Sequence, residues 1–264
     1  MRHPYRPKNS RSPIHVGYLR IICLGLLVLL LLALDGFAQE HEKATNLKVL
    51  DSTMTHDQLI SIMGKYTGAL GVECEYCHVR PAPGSRDMNF ASDSNKVKQI
   101  ARDMIKMVNG INGTYIKNLP ASDAPKVTVE CVTCHHGQPR PLQIQDVLMQ
   151  TRKEHGIHAL DSVYRGLRQK YYGSATYDFS DQSLARLGME VAQESDSDGL
   201  AILKLNNEFN PKSIMNFWAM GRVYTSLGDT AEAVASLKKA LEISPNNRRV
   251  MRDLQMLTGG GKKP

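Results

Sequence analysis

Cys74-Glu75-Tyr76-Cys77-His78 is repeated in form as Cys131-Val132-Thr133-Cys134-His135. Two thiols separated by two residues, with an imidazole directly after them, make the attachment pattern of c-type haem. Each thiol adds across one vinyl group of the porphyrin, and the following residue is held under the iron as its proximal ligand. Cys74, Cys77, Cys131 and Cys134 are therefore the expected cofactor-binding residues, and His78 and His135 the expected iron ligands. A zinc reading pools the four cysteines as one tetrahedral site. That reading leaves both trailing histidines without a role. Two covalently attached haem c groups are the expected cofactors.

Working outward, the chain is long enough for two modest domains. Residues 1–38 read as a secretory signal peptide. Arg2, Arg6, Lys8, Arg11 and Arg20 precede the apolar run from Ile21 to Leu34, and Gly36-Phe37-Ala38 supplies small residues at the cleavage positions. The rival is an uncleaved membrane anchor, for which the run falls short of the ~20 residues a spanning helix needs. Export places the protein in the periplasm. Cys23 leaves with the signal and the other four cysteines belong to the two motifs, so none remains for a structural disulfide. The formal charge of +7 includes five bases and one acid of the leader. The remainder carries +3, which the propionates of two haems would bring near neutrality, and nothing points to nucleic acid.

Helical patterning surrounds both motifs. Thr55-His56-Asp57-Gln58 has the form of a capping box. Leu59, Ile62, Met63 and Tyr66 then recur at helical spacing towards a stop at Gly68 to Gly71, just before the first motif. Pro81, Pro83 and Gly84 mark a loop. A second helix begins near Asp93 or Ser94 and carries Val97, Ile100, Ala101, Met104, Ile105, Val108, Ile111 and Tyr115 on one broad stripe. The turn-rich stretch from Asn118 to Pro125 leads to the second motif.

Met63 to His78, Ala101-Arg102-Asp103-Met104 with Asn112, and Val129 to Pro139 together resemble the cytochrome c subunit of photosynthetic reaction centres. The resemblance covers roughly residues 47–142. It implies that each haem takes its sixth ligand from a helix preceding its own motif, which places Met63 on the first iron and Met104 on the second. Met107, one turn on, is the alternative to Met104, and His56, His155 and His158 also stand as candidates. A methionine on an apolar helical face also serves as core filler. His136 adjoins the proximal ligand and reads as a propionate contact or an exposed side chain. The family typically holds four haems and this chain has two motifs. The position of the family's distant histidine ligand falls at Asn118. The resemblance implies electron transfer without implying light.

From residue 157 the pattern changes. Phe217, Met220, Gly221, Tyr224, Gly228, Ala233, Leu237, Ala240 and Pro245 fall at the spacings of a tetratricopeptide repeat, and Pro211 marks an earlier, degenerate copy with Leu187-Gly188 near the matching position. Arg248 to Leu257 reads as a capping helix. Leu160, Val163, Tyr164 and Leu167 suggest a further helix that supplies packing.

The fold expected is mainly α. A dihaem cytochrome domain over 39–145 is followed by a repeat-like helical domain over 157–257 and a loose tail over 258–264. The function expected is a periplasmic electron carrier between a membrane-associated redox protein donor and acceptor. The repeats serve either for docking or as a plain structural cap. No small-molecule substrate is evident. Two alternatives differ in class: a peroxidase-like enzyme or gas sensor with one five-coordinate iron, and an assembly scaffold with structural haems.

Overall fold

The structure is a computed structural model in which residues 44–120 and 127–259 are described. The leader and most of the tail lie outside these residues. Among the described residues ten α-helices follow one another: α1 (His56–Leu70), α2 (Lys96–Gly110), α3 (Cys131–His135), α4 (Ile144–His155), α5 (Ile157–Tyr171), α6 (Asp181–Ala192), α7 (Asp196–Phe209), α8 (Ile214–Ser226), α9 (Thr230–Ile243) and α10 (Arg248–Thr258). A π-helical segment, Ile111–Ile116, prolongs α2. Among the described residues the pairing of Val79 with Asn89 is an isolated bridge and no longer strand forms. No helix among them is long and apolar enough to cross a membrane.

The described chain divides after Ile60. The part before it holds a turn in which Asp51 accepts from the Thr53 backbone at 2.8 Å, and then the start of α1. The capping box forms there: Thr55 N–H donates to Gln58 Oε1 at 2.9 Å, and Gln58 N–H to Thr55 Oγ1 at 3.3 Å. These bonds satisfy donors that a helix start leaves open.

Beyond Ile60, apolar burial is concentrated in the second half of the chain. Three antiparallel hairpins, α4–α5, α6–α7 and α8–α9, stack in order, and α10 packs on α9. The first core layer joins Ile144 and Leu148 of α4 to Leu160 and Tyr164 of α5 and to Leu184, Leu187, Val191, Ile202 and Leu205 of α6 and α7. The second joins Leu203 to Phe217, Trp218, Met220, Leu237 and Val250. Each fully buried aliphatic side chain contributes about 1.5–3 kcal/mol relative to exposure. The array's apolar core begins at Ile144, ahead of the stretch where the repeat spacing is readable. The hairpin α4–α5 thus supplies the third unit that a short repeat array needs.

The repeat residues act by allowing close approach. A Cβ on Gly221 would meet Leu237 Cγ at 2.8 Å, and one on Gly188 would meet Leu203 Cγ at 2.7 Å, so the two glycines occupy equivalent places in successive hairpins. Polar groups inside the array are largely satisfied, with Asn207 Oδ1 a buried exception. Asn206 donates to the Asp181 carbonyl and to Asn216 Oδ1, Asn216 donates to the Leu203 carbonyl, and Trp218 Nε1 donates to Asp253 at 2.8 Å. Ser180 and Ser195 precede helix starts whose first turns hold Asp181, Asp196 and Asp198, as expected for N-terminal acids.

Candidate haem-attachment sites

The first motif leaves α1 through a sharp turn. Gly71 has φ +65°, a left-handed conformation open to glycine at little cost. Cys74–Tyr76 then form one 3₁₀ turn, with Cys77 N–H and His78 N–H both donating to the Cys74 carbonyl, at 3.2 and 3.0 Å. That turn holds the two thiols and the imidazole in one short unit. Asn89 N–H donates to the Val79 carbonyl at 2.8 Å and closes the following loop, which sets the Phe90 ring edge-on to His78 at 5.1 Å between centroids. Arg80 braces the same loop through the Ser85 and Arg86 carbonyls and an ion pair with Glu75.

Helix α2 is tied to this turn. Asn95 caps it by accepting from Val97 N–H, and donates its amide to the Tyr76 carbonyl at 3.0 Å. Lys98 bonds the carbonyls of Phe90, Ala91 and Ser92 and pairs with Asp93 at 3.3 Å, while the buried Arg102 pairs with Asp93 at 2.8 Å. Burial holds the His78 imidazole below its ordinary pKa. The Lys98 charge adds to this, the Phe90 backbone opposes it, and Arg102 adds a smaller push the same way. The shift favours the neutral ring, the form in which an imidazole can ligate a metal. Burial raises the Cys77 thiol.

The second motif is approached through a side-chain clamp. Asn112, in the π-helical segment, donates to the Val129 carbonyl at 2.8 Å and accepts from Val129 N–H at 2.9 Å. Its amide thus imitates a strand partner for the chain entering α3. Glu130 and Thr133 cap α3 reciprocally, so Cys131, Cys134 and His135 lie on one short helix. The exit is again left-handed, with His136 at φ 47° and Gly137 at φ 84°. His136 is exposed. His135 Nδ1 lies 2.8 Å from the Gln138 carbonyl, and Gln138 N–H donates back to the His135 carbonyl at 2.9 Å. Bonding at Nδ1 fixes the tautomer that presents Nε2 to a metal, the usual arrangement behind a ligating histidine. Burial is the main cause that raises the Cys131 thiol.

The two motifs meet. Gly137 N–H donates to the Ala69 carbonyl at 2.8 Å, and a Cβ on Gly71 would drive into the Gly137 carbonyl, whose carbon lies 3.0 Å away. Tyr66, one turn before Ala69, is raised in pKa by burial and by the neighbouring Cys131. The end of α1 therefore carries the first motif and also seats the exit of the second.

The residues fit covalently held haem. Between Ser61 and Val132, among the described residues, Ala69 is the buried apolar side chain, while Ile100, Met104 and Met107 stand 57%, 40% and 49% exposed at i, i+4 and i+7 of α2. Phe90, Tyr115 and Val127 are exposed as well. This half carries its apolar surface outward around two sets of paired thiols, which suits a domain whose interior is a flat apolar macrocycle. His78 Nδ1 and Gln138 Nε2 are buried without a hydrogen-bond partner, and Cys74, Cys77, Cys131 and Cys134 form no disulfide. Among the described residues no three His, Cys, Asp or Glu side chains converge as a metal-holding group.

Met63 is half-buried on α1, whereas Met104 and Met107 share the exposed stripe of α2. His155 and His158 are exposed on α4 and α5. Sequence reasoning did not find the Asn112 clamp, Gln138, or the loop residues Thr176 and Tyr177 that reach the second motif. A lone Asn in a helical run is a faint signal, because such side chains compete for backbone groups.

A family model described as "Photosynthetic reaction centre cytochrome C subunit" matches residues 34–193, and a tetratricopeptide repeat model matches residues 217–247. Cytochrome c-554 of Chloroflexus aurantiacus is 37% identical over 110 residues, 41% of this chain and 24% of that protein. The photosynthetic reaction center cytochrome c subunits of Rubrivivax gelatinosus and Roseobacter denitrificans are 28% and 32% identical, over 40% and 38% of this chain and 25% of each relative. The chain spans about a quarter of the length of these curated relatives.

Proposed function

Because this chain belongs to the photosynthetic reaction centre cytochrome c subunit family, we propose that it is a dihaem c-type cytochrome that passes electrons between protein partners outside the cytoplasm. One observation carries the reading: two complete attachment turns, Cys74–His78 and Cys131–His135, joined through the Gly137–Ala69 hydrogen bond. When bound, haem c supplies a one-electron couple at each iron. Cys74 and Cys77 would hold one group and Cys131 and Cys134 the other, with His78 and His135 as proximal ligands.

The remaining residues position and exclude. The Asn112 clamp fixes the entry to α3, and the Phe90 ring shields one edge of His78. The sixth ligands proposed are Met63 for the first iron and Met104, or Met107 one turn on, for the second. Thioether ligation by these residues would leave no open position for a substrate and would raise the potential relative to a second histidine. Export through the segment 1–38 is supported by its charge and apolar pattern. Docking to redox partners at a membrane is supported by the family, and the stacked hairpins offer a surface for it.

The test combines intact mass with carbon monoxide. The mature protein should carry the mass of two haems, and carbon monoxide should leave both ferrous spectra nearly unchanged. A mass without haem would overturn the reading. A prompt spectral shift at one haem would replace it with an enzyme or gas sensor built on an open iron.

A further inference from the structure

The loop between α5 and α6 reaches the exit of the second motif at two points. Thr176 Oγ1 donates to the His136 carbonyl at 2.8 Å, and Tyr177 O–H donates to Gln138 Oε1 at 2.9 Å. Gln138 is at the same time locked to His135 in both directions through its backbone. A continuous path therefore runs from the proximal imidazole, through Gln138, to Tyr177. Tyr177 is anchored in turn, with its ring edge-on to Tyr171 at 5.5 Å and to Phe179 at 6.2 Å. Phe179 belongs to the first core layer of the helical array.

The far end of the Gln138 amide is the unusual part. Oε1 is taken by Tyr177, and this leaves Nε2 as a buried donor with no partner on the chain. A buried amide N–H left unpaired forfeits the hydration it had in the unfolded chain and gains nothing in return. Such an atom, beside the residue that ligates iron, calls for an acceptor that the polypeptide does not supply. The haem bound at this motif carries carboxylates, and a carboxylate accepts strongly from an amide N–H.

We infer that Gln138 Nε2 donates to a propionate of the haem attached at Cys131 and Cys134, and that Tyr177 and Thr176 are positioning residues that hold this donor in place. The inference rests on the dihaem reading above. It makes the helical array part of the second haem's seat. Offsetting a propionate's negative charge favours the reduced, less positive iron, so the donor raises that haem's potential.

The test is a spectroelectrochemical titration of the full haem-loaded chain and three variants, with intact mass confirming two haems in each. Gln138→Leu removes the donor and Gln138→Glu places a second carboxylate there. Tyr177→Phe keeps the ring and its packing but frees the amide. The potential of one of the two couples should fall in the Leu variant by about 59 mV, a tenfold rise in its oxidised-to-reduced ratio at fixed poise for one electron. It should fall further in the Glu variant, with a stronger dependence on pH, and less in Tyr177→Phe. The other couple should stay where it is. If both couples stay unchanged, or both move together, the propionate role of Gln138 is overturned while the dihaem reading stands. Wild-type protein that lacks two haems by mass removes both.

Discussion

Replacing Gly71 with alanine should loosen the junction on which both motifs rest. The residue sits at φ +65°, where an L side chain costs roughly 1–2 kcal/mol. The new Cβ would also collide with the Gly137 carbonyl, and backbone cannot swing aside as a side-chain tip can. Relief of that collision separates the two loops and sacrifices the Gly137–Ala69 hydrogen bond, a further ~0.5–1.5 kcal/mol. The sum is about 1.5–3.5 kcal/mol. For a unit of this size each kcal/mol lowers the melting temperature by about 2–4 °C, so the expected fall is about 3–14 °C. Gly68→Ala is the control. It lies on α1 with nothing within 4 Å of an added Cβ, and should stabilise by about 0.5–1 kcal/mol through helix propensity. Thermal denaturation would be followed by helical circular dichroism and by the Soret band. If Gly71→Ala melts within about 1 °C of wild type, the contact between the motif exits is not what holds this half together.

Asn112→Leu removes both bonds to Val129 and leaves two backbone groups wanting partners, so urea denaturation should show a loss of about 1–3 kcal/mol. Trp218→Phe deprives the buried Asp253 carboxylate of its indole donor and should cost a similar ~1–3 kcal/mol, with haem content unchanged by absorption. Met63→Leu keeps volume and apolar character but removes a sulfur donor, and should convert one haem from low to high spin. Met104→Leu should do so at the other haem. If Met107→Leu does this instead, the ligand lies one turn further along α2.

How much of this was legible depended on the range of the interaction. The attachment motifs are contiguous, so Cys74–His78 and Cys131–His135 are readable as units, and each folds as one short turn or helix. The Thr55–Gln58 box is local as well, and its two bonds form as its spacing implies. In the repeats, Gly221 and Gly188 are readable because the same steric demand recurs at a fixed period. The contacts that pair distant segments left no such mark. Nothing near Gly71 names Gly137, and nothing near Asn112 names Val129. The hairpin α4–α5 was half seen: Leu160 to Leu167 shows its period, whereas α4 buries only Ile144 and Leu148 among polar residues. Gln138 and Tyr177 were invisible because a single polar side chain gains meaning only from what stands opposite it.

A redox titration of the purified full-length chain, followed by absorption spectroscopy, bears most directly on the claim that this is a two-haem electron carrier. It should show two one-electron steps per chain, with low-spin spectra in both oxidation states. One step, no step, or a high-spin component that binds added ligand would contradict it.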